Sequence, residues 1–76
     1  MVALPMTASP RAVIAHSQFD LETREMLLGV YDRIERHSKM DETTALAVVD
    51  RILAIAEAGQ RSAEQIERHA APRQPQ

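Results

Sequence analysis

The stretch Thr43–Ala70, TTALAVVDRILAIAEAGQRSAEQIERHA, decides how the chain is read. At about 100° per residue, Leu46, Val48, Val49, Ile52, Leu53 and Ile55 spread over roughly half of a helical circumference, wider than a single-sided stripe. Val48 and Ile55 form one shoulder, Leu46 and Leu53 the other, and Val49 and Ile52 lie between them. Ala45, Ala56 and Ala63 fall inside the arc, and Ile66 and Ala70 extend it. Gly59 could end the helix as its C′ residue. The run QRSAEQIERHA after it is helix-forming, however, so the stretch is read as one long helix from about Asp41 to Ala70. APRQPQ then stops it.

Upstream, a first main helix is expected over residues 20–38. Asp20 is its N-cap, and Glu22 in the first turn favours the helix dipole. Met26, Leu27, Val30, Tyr31 and Ile34 share one stripe, with Leu21 and Leu28 as a minor flank. HSKMDET breaks the pattern and offers Ser38 and Asp41 as caps. A short connection between two amphipathic helices implies an antiparallel hairpin. Residues 1–19 read as a flexible or partly ordered arm. Ser9-Pro10 could open a short helix, and RAVIA could equally be extended. Residues 71–76 read as a disordered tail.

The expected fold is therefore all-α, a helical hairpin whose second helix needs cover on both shoulders. The arm could fold back with Val13, Ile14 and Phe19. A second copy covers more, because the arm has few apolar residues, so a homodimeric four-helix bundle is the preferred reading. Its interface would be built from Leu27, Val30, Tyr31, Ile34, Leu46, Val48, Val49, Ile52, Leu53 and Ile55.

Composition narrows the function. With 76 residues, the chain is one domain at most, and a core of that size is marginal without a staple or partner. There is no cysteine, hence no disulfide or thiolate metal site. Nine basic and 11 acidic side chains leave a formal charge of -2, which is no footprint for nucleic acid or an anionic membrane. Phe19 and Tyr31 are the only aromatics, too few for base stacking. A nucleic-acid partner is not expected. MVALPMTASP is broken by Pro5 and Pro10 and lacks a basic n-region, so it is not a secretory signal. The longest apolar-rich stretch, residues 45–58, contains Asp50, Arg51 and Glu57 and is not a membrane span. A cytoplasmic protein is expected.

Acid-to-base pairs at i,i+4 are frequent: Asp20–Arg24, Asp32–Arg36, Glu35–Lys39, Glu57–Arg61 and Glu64–Arg68. Each has the acid on the favourable N-terminal side. IERH occurs twice, at Ile34–His37 and Ile66–His69, and both copies fall where a helix is expected to end, with Arg and His complementing the dipole. The flanking sequences do not align, so a duplicated site is unsupported. No two of His16, His37 and His69 are one turn apart, and His37 and His69 would sit at opposite ends of a hairpin, so no metal site is expected. His37, at the edge of the first stripe, reads as a half-buried interface residue. Asp32, Asp50 and Glu57 lack a pocket in a two-helix fold, and with only Gly29 and Gly59 there is no phosphate loop. No catalytic residue or cofactor is expected.

Three functions fit such an object. The first is a non-catalytic interaction module, an adaptor or negative regulator acting through apolar helix faces on a protein partner. The second is a ribbon-helix-helix DNA-binding regulator with RAVIAHS as the strand and Arg11 its only fixed positive charge. The third is an accessory subunit of a larger enzyme. From Phe19 to His69, a helix, a brief loop and a longer helix containing AEQIE are loosely similar to the small subunit of exodeoxyribonuclease VII. The chain departs from that family in having RHSKMDE where a Gly-rich loop is expected.

Overall fold

The structure, a computed structural model, describes residues 9–72. The expectations for residues 1–8 and 73–76 lie outside the described residues. Four helices follow one another: α1 (Pro10–Ala15), α2 (Leu21–His37), α3 (Glu42–Glu57) and α4 (Ala63–Ala70). There is no strand among the described residues, so the all-α class is observed.

Each helix begins at a side-chain cap. The Ser9 hydroxyl accepts from the Ala12 N–H at 3.1 Å, with Pro10 at the first helical position. Proline fits there because that N–H would have no intrahelical partner. Residues 10–15 are thereby helical rather than extended. The Asp20 carboxylate accepts from Thr23 N–H at 3.2 Å and that of Asp41 from Thr44 N–H at 2.8 Å. These bonds to backbone and side chain hold both carboxyls below their ordinary value of 3.8. Ser62 caps α4 through Gln65 N–H at 3.4 Å.

The long second helix expected over residues 41–70 is not formed. It ends at Glu57, with Ala58 as C-cap and Gly59 at a φ of 108°. Gly59 N–H bonds to the Ala56 carbonyl at 3.0 Å and Gln60 N–H to that of Ile55 at 3.3 Å. These are the two bonds of a Schellman termination, and the positive φ they require suits glycine. Gln60 Oε1 then accepts from Ser62 N–H at 3.0 Å, which carries the chain into the α4 cap. Local helix propensity across residues 60–70 loses to this turn because the turn lets α4 dock.

The core contains Leu27, Val30, Tyr31 and Ile34 from α2, and Ala45, Val48, Val49, Ile52 and Ala56 from α3. Ile14 from α1 and Ile66 and Ala70 from α4 complete it, all three with 0% exposure. Each isoleucine buried in this way contributes about 1.5–3 kcal/mol. No polar or charged residue is buried among the described residues. α1 lies against α2 and α3, and α4 lies against the same two helices. Arg61, just before α4, lies with Glu22, Thr23 and Met26 near the start of α2. Glu67 accepts from Arg33 Nε at 2.8 Å further along. α4 therefore runs beside α2 in the same direction. The two IERH copies end toward the same end of the molecule, and not at opposite ends as a two-helix hairpin would place them.

Ile52→Asp would put an uncompensated carboxylate at the centre of this core and should cost several kcal/mol, enough to abolish cooperative unfolding. Asp32→Ala, which removes a surface ion pair with Arg11, should cost no more than about 1 kcal/mol. Urea titration followed by circular dichroism would compare them; an Ile52→Asp variant with native helicity and midpoint would refute the packing.

The capping carboxylates also set a pH dependence. Their folded pKa is depressed, so their stabilisation is present above the ordinary carboxylate range and is lost as pH falls below 3.8 toward the folded value. The melting temperature should decline in that acid window. The double variant Asp20→Asn, Asp41→Asn keeps capping side chains without those charges, and its decline should be shallower.

Candidate functional site

Two surface clefts border α3. The first is an open groove of ≈ 700 Å³ lined by Arg51, Ala54, Ile55, Ala58, Gly59, Gln60 and His69. Its floor is Ile55, half-buried, and its rim carries Arg51 and His69, both exposed. The groove exists because Gly59 turns α4 back beside the C-terminal half of α3. It continues onto the outward face of α3, where Ala47, Ala54 and Ala58 are exposed. Leu46, 38% exposed, lies on the opposite shoulder of α3 from Ile55.

The second is a polar cleft between α1 and α3, lined by Val13, Ser17, Gln18, Phe19, Leu53, Glu57 and Arg61. The Arg61 guanidinium lies 5.2 Å from the Phe19 ring centroid and donates to the Ala56 carbonyl. One side chain thus closes the end of α3 and ties it to the segment after α1. Arg24 does the same for α1, donating to the Ala15 carbonyl at 3.0 Å.

These contacts revise the expected charge ladders. Of the five i,i+4 pairs, Glu64–Arg68 alone lies within ion-pair reach, at 4.0 Å. Asp20 is held by its cap, Asp32 pairs with Arg11, and Arg24 and Arg61 bond to carbonyls at helix ends. A solvent-exposed ion pair along one helix is worth little, and the helix-end carbonyls, which have no i+4 donor within their helix, lie within reach of these guanidinium groups.

The ten residues expected at an intermolecular interface divide clearly. Leu27, Val30, Tyr31, Ile34, Val48, Val49 and Ile52 are buried in the chain's own core. Leu53 and Ile55 are partly buried and Leu46 is exposed. Apart from the exposed Leu46, the two shoulders are covered from within. Val13 and Phe19 pack on the core beside Leu53, and α4 lies beside Ile55. His37 is exposed, not half-buried, because α4 covers the neighbouring stripe with Ile66 and Ala70 and leaves the helix end in water. His16 and His69 are exposed as well.

Burial pushes the Tyr31 phenol above its ordinary value, and the Glu35 carboxylate, 3.4 Å from its hydroxyl, adds to the shift. Among the described residues no group of three or more His, Cys, Asp or Glu side chains could hold a metal ion, and no helix is long and apolar enough to cross a membrane. No family model, no curated protein and no solved structure matches this chain, so its function has to be argued from its own residues.

Arg61→Ala removes a cation–π contact and a helix-end bond together, and should lower stability by about 1–2 kcal/mol. Arg61→Lys keeps the charge but not the planar stacking and should recover only part of that loss. Chemical denaturation of the three proteins would measure it; an unchanged midpoint for Arg61→Ala would remove Arg61 as a tie between α1 and α3.

Proposed function

We propose that the chain is a small non-catalytic protein–protein interaction module, an adaptor or negative regulator that occupies a partner's surface, and that it also associates with itself as a homodimer. The observation that carries the reading is the groove at Ile55 and its continuation over Ala47, Ala54 and Ala58. Small side chains there let another helix approach closely, Ile55 offers an apolar contact, and Arg51 and His69 provide a polar rim. The expected interface moves accordingly. Ile55 stays in it, Leu46 lies exposed on the opposite shoulder of α3, and the residues now in the core support the face from behind.

A ribbon-helix-helix protein needs an extended segment at residues 11–17, and residues 10–15 are helical, so that reading receives no support from the fold. An accessory subunit of an enzyme would use the same face and differs only in what occupies it.

A photoreactive phenylalanine analogue placed at Ala54, in cells that produce the protein, should give a discrete covalent adduct. The same probe at Glu25, exposed on α2, should not. Absence of any adduct at position 54 would remove the groove as a contact surface. Sedimentation equilibrium reads the self-association, with the dimer at about twice the 8.5 kDa chain mass.

A further inference from the structure

One seam of inward positions on α3 and α4 follows a single repeat, and the turn between the helices does not interrupt it. Ala45, Val49, Ile52 and Ala56 are buried on α3 along this seam, with Val48 buried beside it, Ile66 and Ala70 are buried on α4, and Ala63 is partly buried. With Gly59 included, positions 45, 49, 52, 56, 59, 63, 66 and 70 alternate steps of four and three residues. This is the 3.5-residue spacing that keeps one seam facing a neighbour along an unbroken helix. The observed fold does not demand it. Once Gly59 turns the chain, the buried face of α4 is set by its docking on α2 and α3, whatever the phase of α3. Gly59 is also the one exposed member of the series. A Cβ there would meet nothing within 4 Å, so glycine serves the φ of 108° rather than a close approach.

We infer that the chain has a second conformation in which residues 42–70 form one straight helix and α4 docks into a second copy, each chain exchanging α4 with the other. This rests on the self-association proposed above and names the segment that enters the partner. The occupant is a second copy because the vacated site fits α4 itself. It is walled by the α2 and α3 residues that Ile66 and Ala70 cover, and it presents Arg33, whose partner in the observed fold is Glu67 of α4. The other chain vacates an identical site, so a two-fold exchange closes with every contact reproduced. The two states then differ mainly in the turn and in the association itself.

Gly59→Ala tests this without touching a packed atom. Alanine disfavours the positive φ of the turn and favours the straight helix, so both effects act in one direction. Over two chains the dimerisation constant should rise about a hundredfold or more, read by sedimentation equilibrium. To locate α4, Arg33→Cys and Glu67→Cys are introduced into the same chain, which has no other cysteine, and a short bis-maleimide joins the two thiols. In the parent background at micromolar concentration the linked product should run as a monomer on a denaturing gel. In the Gly59→Ala background it should run as a dimer. A Gly59→Ala protein that is monomeric, or that loses its helical circular dichroism at all concentrations, overturns the exchange. A Gly59→Ala dimer whose link stays within each chain also overturns it. That last result leaves self-association through the outer face of α3 standing, which the probe at Ala54 tests separately.

Discussion

The backbone at Gly59 fixes where every apolar side chain beyond Ala58 goes. Its φ of 108° permits the two Schellman bonds to Ile55 and Ala56, and those bonds reverse the chain within a few residues. α4 is then returned beside α2 and α3, where Ile66 and Ala70 are fully buried. A helix of eight residues is too short to hold itself in water. Its stability comes from that docking, from the Ser62 cap and from the Arg33–Glu67 bond. Without the reversal, Ile66 would stand on a rod projecting into solvent and the Ile55 shoulder of α3 would be bare. The turn is thus the condition for a core that closes within one chain.

The opposite shoulder is closed by a different device. Ser9 and Pro10 start α1, and Ile14 goes into the core. Arginines then fasten the ends: Arg11 to Asp32 on α2, Arg24 to the last carbonyl of α1, and Arg61 across Phe19 and onto the end of α3. Arg11–Asp32 and Arg61–Phe19 join segments distant in sequence, and Arg24 closes the short connection between α1 and α2. Guanidinium groups suit this because they are planar, always charged and carry several donors in a fixed fork. In a chain this small, ties between elements resist unfolding more effectively than pairs along one helix, since a pair within a helix does nothing to keep that helix docked.

What could be read from the sequence was local. Asp20, Asp41 and the Ser9-Pro10 option are caps, decided by a residue and its neighbours three positions on, and they are observed. The α2 stripe of Leu27, Val30, Tyr31 and Ile34 and the break at Ser38–Asp41 are likewise fixed by short-range pattern. Both IERH segments end helices, as dipole complementarity implies. Gly59 was ambiguous for a physical reason. The C′ signal and the helix-forming run after it compete, and the deciding term is the burial of Ile66 and Ala70 against residues far away in sequence. Periodicity leaves the interface open for the same reason. Periodicity says that Val48, Val49 and Ile52 must be covered; it does not say whether the cover belongs to the same molecule. His37 followed suit, since its exposure depends on where α4 stops.

Competition at Gly59 has a consequence for dynamics. Local opening costs less than global unfolding when an element is short and makes few buried contacts. α4 buries only Ile66 and Ala70 completely, whereas α2 and α3 together hold nine of the buried core residues. Releasing α4 therefore forfeits a small part of the core and leaves α1, α2 and α3 packed on one another. The released segment keeps its apolar phase with α3, so it does not have to find a new register to become useful elsewhere. The turn lies beside the groove at Ile55. Ile55 marks the place: it floors that groove and accepts, through its carbonyl, the outer bond of the turn.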